Sequence, residues 1–273
     1  MATQHKRAVL ITGGSSGIGL GLAERHLAAG HRVLITGRSP DRLAAAADRL
    51  PGVETLTNDI ATAEGRQQLA DHVGRAMPEL DVLVNNAGIQ RRVAIAADRC
   101  PWAEAQHELD ILLAAPIHLG RLLVPLMLAH GRPGVLVNVT SGGAFVPQPF
   151  APLYSAAKAA LHSYTVNLRH ALEATRVRVV ELVPPAVATP LAGPGPAHGA
   201  DPDEFCDAVF PLLDGARAEV GFGPTATPEF TAQRAIEHRT FTAMSDRFPV
   251  PVYLPGGRPS GHEPRSGEPA ARG

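Results

Sequence analysis

Only two cysteines, one tryptophan and three tyrosines occur in the 273 residues, and aromatic side chains make up 4% of the chain. Cys100 and Cys206 are too few for a disulfide framework and lack metal-ligand spacing, which leaves them as ordinary, partly buried thiols. The twelve histidines are scattered without His-x-x-x-His or Glu-bearing zinc spacing, so no metal is expected. No basic block stands out, and a formal net charge of −1 offers nucleic acid none of the clustered lysine and arginine that binding it requires. No run approaches the roughly eighteen uninterrupted apolar residues of a membrane span, and the opening "MATQHKRAVL" has no apolar stretch followed by a small-residue cleavage site. The expectation is a cytoplasmic protein with no membrane partner. What remains, 45% hydrophobic and 19% charged residues, suits one globular domain with a single sizeable core.

Short β-branched runs alternate with longer helical patterns: "RAVLIT", "GIGLGLAERHLAAG", "HRVLIT", "RLAAAADRL". That alternation predicts βαβ units feeding a parallel sheet. "VETLT", "DVLVNN", "GVLVNVT", "VRVVELV" and "AEVGF" supply further strands, about seven in all, with helices near 62–77, 102–130 and 152–175. Several strands are nearly continuous apolar runs, so helices must cover both faces of a doubly wound α/β sheet. Ser39 and Pro40 suit the N-cap and first turn of the second helix. After Val183 the chain becomes rich in proline and glycine, and a lid is expected over roughly 190–215. The domain then runs over 1–254 and closes with a helix in "PEFTAQRAIEHRTFTAMSDRF". From Pro255 to Gly273 almost nothing is apolar, and a disordered tail is expected.

"LITGGSSGIG" places Gly13, Gly17 and Gly19 between a strand and a helix. Glycine there lets the backbone turn sharply and approach a pyrophosphate at the positive end of the helix. Nineteen residues after Gly19, at the end of the second strand, stands Arg38. An acidic residue at that place would hold the ribose 2′-hydroxyl of NAD, whereas a guanidinium favours the 2′-phosphate, so NADP is expected over NAD. Asp59 follows the third strand and could reach the adenine. Asn85 to Gly88 follow the fourth, where Asn85 and Asn86 are equally suited to a structural turn.

In "YSAAK", Tyr154 and Lys158 lie four residues apart on an alanine-rich helix, hence on one face. A nearby cation would lower a phenol pKa from near 10 towards a range useful for proton transfer. Spacing alone leaves open whether the pair is an acid with its tuning group or two residues that share a helix. Ser141, thirteen residues upstream, follows the strand "GVLVNVT" at the sheet edge where open α/β folds place ligands. Phe145 is expected as a pocket wall. Trp102 suits a pocket or a packing anchor, and His162 and His170 the surface or an interface.

Taken in order, "TGGSSGIG", "NNAG", a serine after the next strand, and "YSAAK" closely resemble the short-chain dehydrogenase/reductase family over roughly residues 6–192. The resemblance implies a Rossmann fold that binds NAD or NADP and transfers a hydride between nicotinamide and a carbonyl or alcohol carbon of a small molecule. It makes Tyr154 the proton donor, Ser141 the group that orients the carbonyl, and Lys158 the group that lowers the phenol pKa and binds the nicotinamide ribose. Thr12, Gly13, Ser15, Gly17, Ile18 and Gly19 match the phosphate loop, Asp59 and Ile60 the adenine wall, and Asn85, Ala87 and Gly88 the segment beside the ribose. Val187 and Thr189 match the strip near the carboxamide. "SGGAFVP" and "VPPAVATPL" resemble the bacterial DltE-like branch. A homodimer or homotetramer through the long helices is consistent with the family.

Two departures stand out. Leu112 occupies the place of the family asparagine that helps position a water chain to the lysine, which implies a slowed or rerouted proton supply and a gain in turnover for Leu112→Asn. Pro185 replaces a common glycine and stiffens the start of the lid. Leu112 also keeps a second reading in play, a cofactor-binding sensor with weakened catalysis.

Overall fold

Seven runs of β-branched and aliphatic residues form the strands β1 (Ala8–Thr12), β2 (Arg32–Gly37), β3 (Glu54–Thr57), β4 (Leu80–Asn85), β5 (Gly134–Val139), β6 (Val177–Val183) and β7 (Glu219–Gly221). The computed structural model describes residues 6–192 and 199–260. All pairings are parallel, in the order β3-β2-β1-β4-β5-β6-β7. Successive side chains point to opposite faces, so the five inner strands feed two cores. Val9, Ile11, Val33 and Ile35 meet α1 (Gly17–Ala28), α2 (Pro40–Arg49) and α7 (Pro202–Leu213) on one side. Ala8, Leu10, Leu34 and Leu83 meet α3 (Ala63–Ala76), α5 (Ala115–Ala129) and α6 (Pro152–Leu172) on the other. This is the doubly wound Rossmann sheet that the alternation predicted.

Local chemistry sets the helix starts. The Ser39 hydroxyl accepts from Arg42 N at 3.3 Å and Pro40 opens α2, as expected from sequence. Thr62 caps α3 by accepting from Gly65 N at 2.9 Å. A side chain at Gly65 would put its Cβ 1.9 Å from the Asp59 carbonyl oxygen, so glycine is required where α3 crosses the loop after β3. α4 (Trp102–Leu109) continues through a π turn at Asp110–Ala114 into α5. Pro116 has no N–H and cannot bond back to the Leu112 carbonyl, which accounts for a break in the ladder there. Together Trp102–Ala129 are long and apolar enough to cross a membrane, but 56% of the span is buried inside the protein, as befits a core helix.

Within the expected lid, "DPDEFCDAVFPLLDGA" forms the helix that its pattern suggests: α7 packs Phe205, Cys206 and Val209 into the first core, and Cys206 sits so close to Gly21 that a Cβ there would meet its sulfur at 2.6 Å. Ala200 N donates to Ala186 O at 2.9 Å, which closes the base of the segment before α7; residues 193–198 of the lid lie outside the described residues. The start of the expected tail is also ordered. Tyr253 N donates to Ala171 O at 2.8 Å at the end of α6, and Ser260 N donates to Val252 O at 2.7 Å around a turn that Gly256 and Gly257 enter with φ of 95° and 81°. Positive φ supplies what low apolar content does not, a tight reversal. Residues 261–273 lie outside the described residues. The C-terminal helix α8 (Pro228–Arg247) lies against α6 through Arg234, its buried residue, and through Phe241, which meets His170 edge-on.

His26 of α1 and His31 ahead of β2 place their Nδ1 atoms 3.0 Å apart in the interior, with Phe210 edge-on to His26. Burial first, then His31, pushes His26 from 6.5 down to about 3; Arg7 lowers it further and Asp214, the ion-pair partner of Arg7, opposes. Folded His26 therefore stays neutral while the unfolded chain takes up a proton below pH 6.5, and stability falls as pH drops from 6.5 towards 3. In urea titrations at pH 7 and pH 4.5, His26→Leu is expected to remove about 2–3 kcal/mol of the wild type's loss on acidification. An unchanged difference would show that this pair does not govern acid sensitivity.

Candidate active site

Strand β1 ends at Thr12, and the chain turns through Gly13 and Gly17 at φ of 66° and 54°. A Cβ on Gly13 would lie 2.7 Å from Ala87 Cα, so the loop after β4 is seated directly on the glycine turn. Thr12 Oγ1 accepts from Asn86 N at 3.0 Å and Ala87 N at 3.1 Å, while Asn86 Nδ2 donates to Thr12 O at 3.0 Å and Gly13 O at 3.2 Å. These bonds staple the ends of β1 and β4 together. The N-cap of α1, Ser16, makes no side-chain cap, which leaves the first-turn N–H groups for an anion.

A cavity of about 740 Å³ runs along this edge of the sheet. Of the residues predicted for the cofactor, Gly13, Ser15, Gly17, Ile18, Arg38, Asp59, Ile60, Ala87, Gly88, Val187 and Thr189 line it, together with Ser141, Tyr154 and Lys158. Thr12, Gly19 and Asn85 are not among the lining residues, and each has a structural role. Thr12 is the staple just described. A Cβ on Gly19 would strike Asn86 Nδ2 at 2.4 Å, so that glycine serves packing. Asn85 is buried and donates to Asn138 Oδ1 at 2.9 Å, the start of a polar ladder that continues from Asn138 Nδ2 to Thr165 Oγ1 at 2.9 Å. Arg38 lies within 2.9 Å of His107 Nε2, and Arg42 joins it on the wall, a second cation that the strand-end rule overlooked.

At the other end, β5 delivers Val139, then Thr140 and Ser141. Ser141 Oγ accepts from Gly143 N at 3.0 Å, and Ser155 Oγ accepts from Gln148 N at 3.0 Å, which pins the intervening loop to the start of α6. Tyr154 lies in the first turn of α6 and Lys158 one turn later; both are buried, and Lys158 Nζ donates to Val139 O at 2.7 Å. The ammonium is 5.7 Å from the centre of the Tyr154 ring. Burial lowers Lys158 from 10.5 to about 8, with Glu181 opposing. The phenol behaves differently from the sequence expectation. Burial raises the Tyr154 pKa above its ordinary value, a hydrogen bond with Ser141 opposes, Glu108 reinforces the rise, and Lys158 is not among the causes. Burial is the first cause, because loss of water disfavours the charged phenolate more than the neutral phenol.

Behind the site, Glu181 of β6 is fully buried, accepts from Thr140 Oγ1 at 2.7 Å, and lies 2.8 Å from His162 Nδ1. His162 is thus half-buried and tied to an interior carboxylate. Donor atoms of His162, Glu181 and Glu219 fall within 4.8 Å of one another, a grouping from three separate elements that chain spacing cannot reveal. Thr140 and His162 already occupy the Glu181 oxygens, and the charges of Arg169 and Arg234 lie close by, so the group reads as a charge network. Phe145 turns away from the cavity and stacks against His162 and Phe230 beneath Arg234, because the 3-10 turn Gly142–Ala144 reverses the chain before it. Phe150 takes the wall position expected of Phe145, and Trp102 is 68% exposed and serves neither expected role. Gln90, Arg92, Gln148 and Phe150 also line the cavity; they sit in irregular segments where no period marks them.

The short chain dehydrogenase family pattern matches residues 7–198. The chain is 44% identical over 183 residues to the uncharacterized oxidoreductase DltE of Bacillus subtilis, covering 67% of this chain and 72% of that one. It is 35% identical over 228 residues to 1-deoxy-11-beta-hydroxypentalenate dehydrogenase of Streptomyces avermitilis, covering 80% and 84%. A short chain dehydrogenase from Burkholderia cenocepacia, solved in complex with NADP, superimposes with a TM-score of 0.73 at 29% identity over 90% of this chain and 99% of that one. One from Sphingobium yanoikuyae in complex with NADPH gives 0.74 at 25% identity over 88% and 96%. With the pattern, the identities and the sheet in agreement, the chain belongs to the short-chain dehydrogenase/reductase family of oxidoreductases.

Proposed function

We propose that the protein is an NADP(H)-dependent oxidoreductase that interconverts a carbonyl and an alcohol on a small molecule, with Tyr154 as the acid and base. One observation carries this reading: a single cavity has Arg38 and Arg42 at one end and Ser141, Tyr154 and Lys158 at the other. The residues fit a dinucleotide. The glycine turn brings bare backbone to the wall, uncapped N–H groups at α1 suit a pyrophosphate, and two guanidiniums suit a 2′-phosphate. Bound nicotinamide would supply or accept the hydride.

The chain's own groups handle the oxygen and the proton. Ser141 Oγ accepts from Gly143 N, so its hydroxyl hydrogen is left to point at the phenol or a substrate oxygen. A phenol held neutral by burial is a proton donor at neutral pH, as reduction of a carbonyl requires. Lys158, anchored on Val139 O, lies behind Tyr154 and borders the cavity where a ribose hydroxyl would bind. In balance, a carbonyl compound, NADPH and one proton give the alcohol and NADP⁺.

Leu112 does not close the route by which that proton is replaced. A void of about 10 Å³, room for about one water, lies among Thr12, Asn85, Leu112, Pro116 and Lys158, and Asn85 Oδ1 is buried there without a partner. Pro116, which has no N–H to give the Leu112 carbonyl, borders the same void. A backbone oxygen of residue 112 would serve a water there whatever its side chain, which would reroute the relay and not abolish it.

NADPH is expected to raise the melting temperature more than NADH, and replacing both Arg38 and Arg42 by alanine to remove the difference. Equal shifts in the wild type would contradict the NADP assignment. Purified protein is expected to oxidise NADPH with small carbonyl compounds, and Tyr154→Phe to lower turnover about 10²–10⁴-fold while the NADPH shift persists. A shift without turnover across a broad panel would support the cofactor-binding sensor. Leu112→Asn is expected to change turnover less than about twofold; a gain of about tenfold or more would show that the leucine side chain blocks proton supply.

A further inference from the structure

Two of the large apolar side chains that stay in contact with solvent line the cavity: Phe150, 48% exposed, and Leu191, 38% exposed. Val146, on the loop that leads from Ser141 to Phe150, is exposed as well. A lone exposed leucine needs no explanation, whereas apolar groups brought from two separate segments to the wall of one cavity mark a surface that a ligand covers.

The rest of that end has few groups left for a polar substrate. Pro184, Pro185 and Pro190 line it and have no N–H to donate. Neighbouring main-chain groups are already bonded: Ala188 N donates to Ala200 O at 2.9 Å, Thr189 N donates to Val187 O at 2.8 Å, and the Pro184 and Ala186 carbonyls accept from Gly142 N and Ala200 N, each at 2.9 Å. The polar side chains bond among themselves. Gln90 Nε2 donates to Gln148 Oε1 at 3.3 Å, Arg92 Nε donates to Gln90 Oε1 at 3.1 Å, and the Arg92 guanidinium lies 5.2 Å from the centre of the Phe150 ring. Beyond Ser141 and Tyr154, this end offers a substrate chiefly hydrocarbon.

We propose that the substrate is a carbonyl compound with an extended hydrocarbon body, which lies against Phe150 and Leu191 while its carbonyl meets Ser141 and Tyr154, and that these two apolar side chains determine specificity. This rests on the oxidoreductase reading above and adds the substrate class to it. Transfer of hydrocarbon out of water is non-directional and scales with the area covered, so selectivity grows with each methylene until the wall is covered.

The test compares butanal, hexanal and octanal, and butan-2-one with octan-2-one, in NADPH oxidation. In the wild type kcat/KM is expected to rise about two- to fourfold for each added CH₂, the range for burying one methylene. Phe150→Ser and Leu191→Ser are each expected to flatten the series by lowering the constants for octanal most, and Phe150→Leu to keep most of the slope; the melting-temperature shift with NADPH checks that each variant is folded and binds the cofactor. If a serine variant does not fold, the wild-type series decides the substrate class alone. A flat series in the wild type, an equal loss for butanal and octanal in the serine variants, or a slope that both variants leave unchanged would overturn the proposal while leaving the oxidoreductase intact. If no carbonyl compound turns over, the oxidoreductase reading fails and binding decides the role of the apolar wall. With NADP⁺ present, octan-1-ol must then raise the melting temperature more than butan-1-ol at equal concentration in the wild type and lose that advantage in Phe150→Ser; equal shifts refute the assignment.

Discussion

The hydrogen bond from the Lys158 ammonium to the Val139 carbonyl, 2.7 Å long and buried, sets the geometry of the whole site. It ties the second turn of α6 to the last residue of β5. Tyr154, one turn earlier, and Ser141, two residues beyond Val139, are then brought together without further freedom. Burying that charge is costly: the fall from 10.5 to about 8 corresponds to about 3 kcal/mol against the folded state at neutral pH. Glu181 offsets part of it from the neighbouring strand, and its own oxygens are held by Thr140 and His162. A charge kept inside at such a cost, beside a buried phenol and a cavity, supports the site proposed above.

The second constraint is the reversal of strand order around β1 and β4. Strands β1 to β3 build outwards in one direction and β4 to β7 in the other, so the loops after β1 and β4 diverge and leave a crevice at the carboxyl edge. Thr12 and Asn86 hold that crevice to a fixed width through four hydrogen bonds. The residues proposed for the nucleotide and those proposed for the proton therefore share one wall of the sheet edge. The irregular segments that complete the cavity are the residues around Gln90, the loop from Gly142 to Phe150, and the chain after Pro185.

Much of this was legible in the chain itself. Strand runs of three to seven residues locate every strand, and Ser39 with Pro40 marks the start of α2 as found. The glycine turn and the spacing of Ser141, Tyr154 and Lys158 pointed to one cavity, and the structure brings them to it. What was not legible depends on distance in space. Thr12 and Asn85 sit inside the matching motifs, but that their side chains bond to Asn86, Ala87 and Asn138 is set by the fold and not by the motif. Phe145 faces away on account of a single 3-10 turn. The direction of the Tyr154 shift follows from burial, which no i, i+4 rule can weigh. Glu181 lies in a strand that reads as apolar, and its partners come from α6 and the end of β5.

The central claim is that one bound dinucleotide spans from the Arg38–Arg42 pair to Lys158 and Tyr154. A crystal structure of the protein with NADP⁺ tests it most directly. The account requires the 2′-phosphate to contact Arg38 or Arg42 and the nicotinamide ribose to contact Lys158, with Ser141 and Tyr154 facing the same side of the ring. A dinucleotide bound in the opposite sense, or a Lys158 amine that leaves Val139 and makes no contact with the ribose, would contradict it.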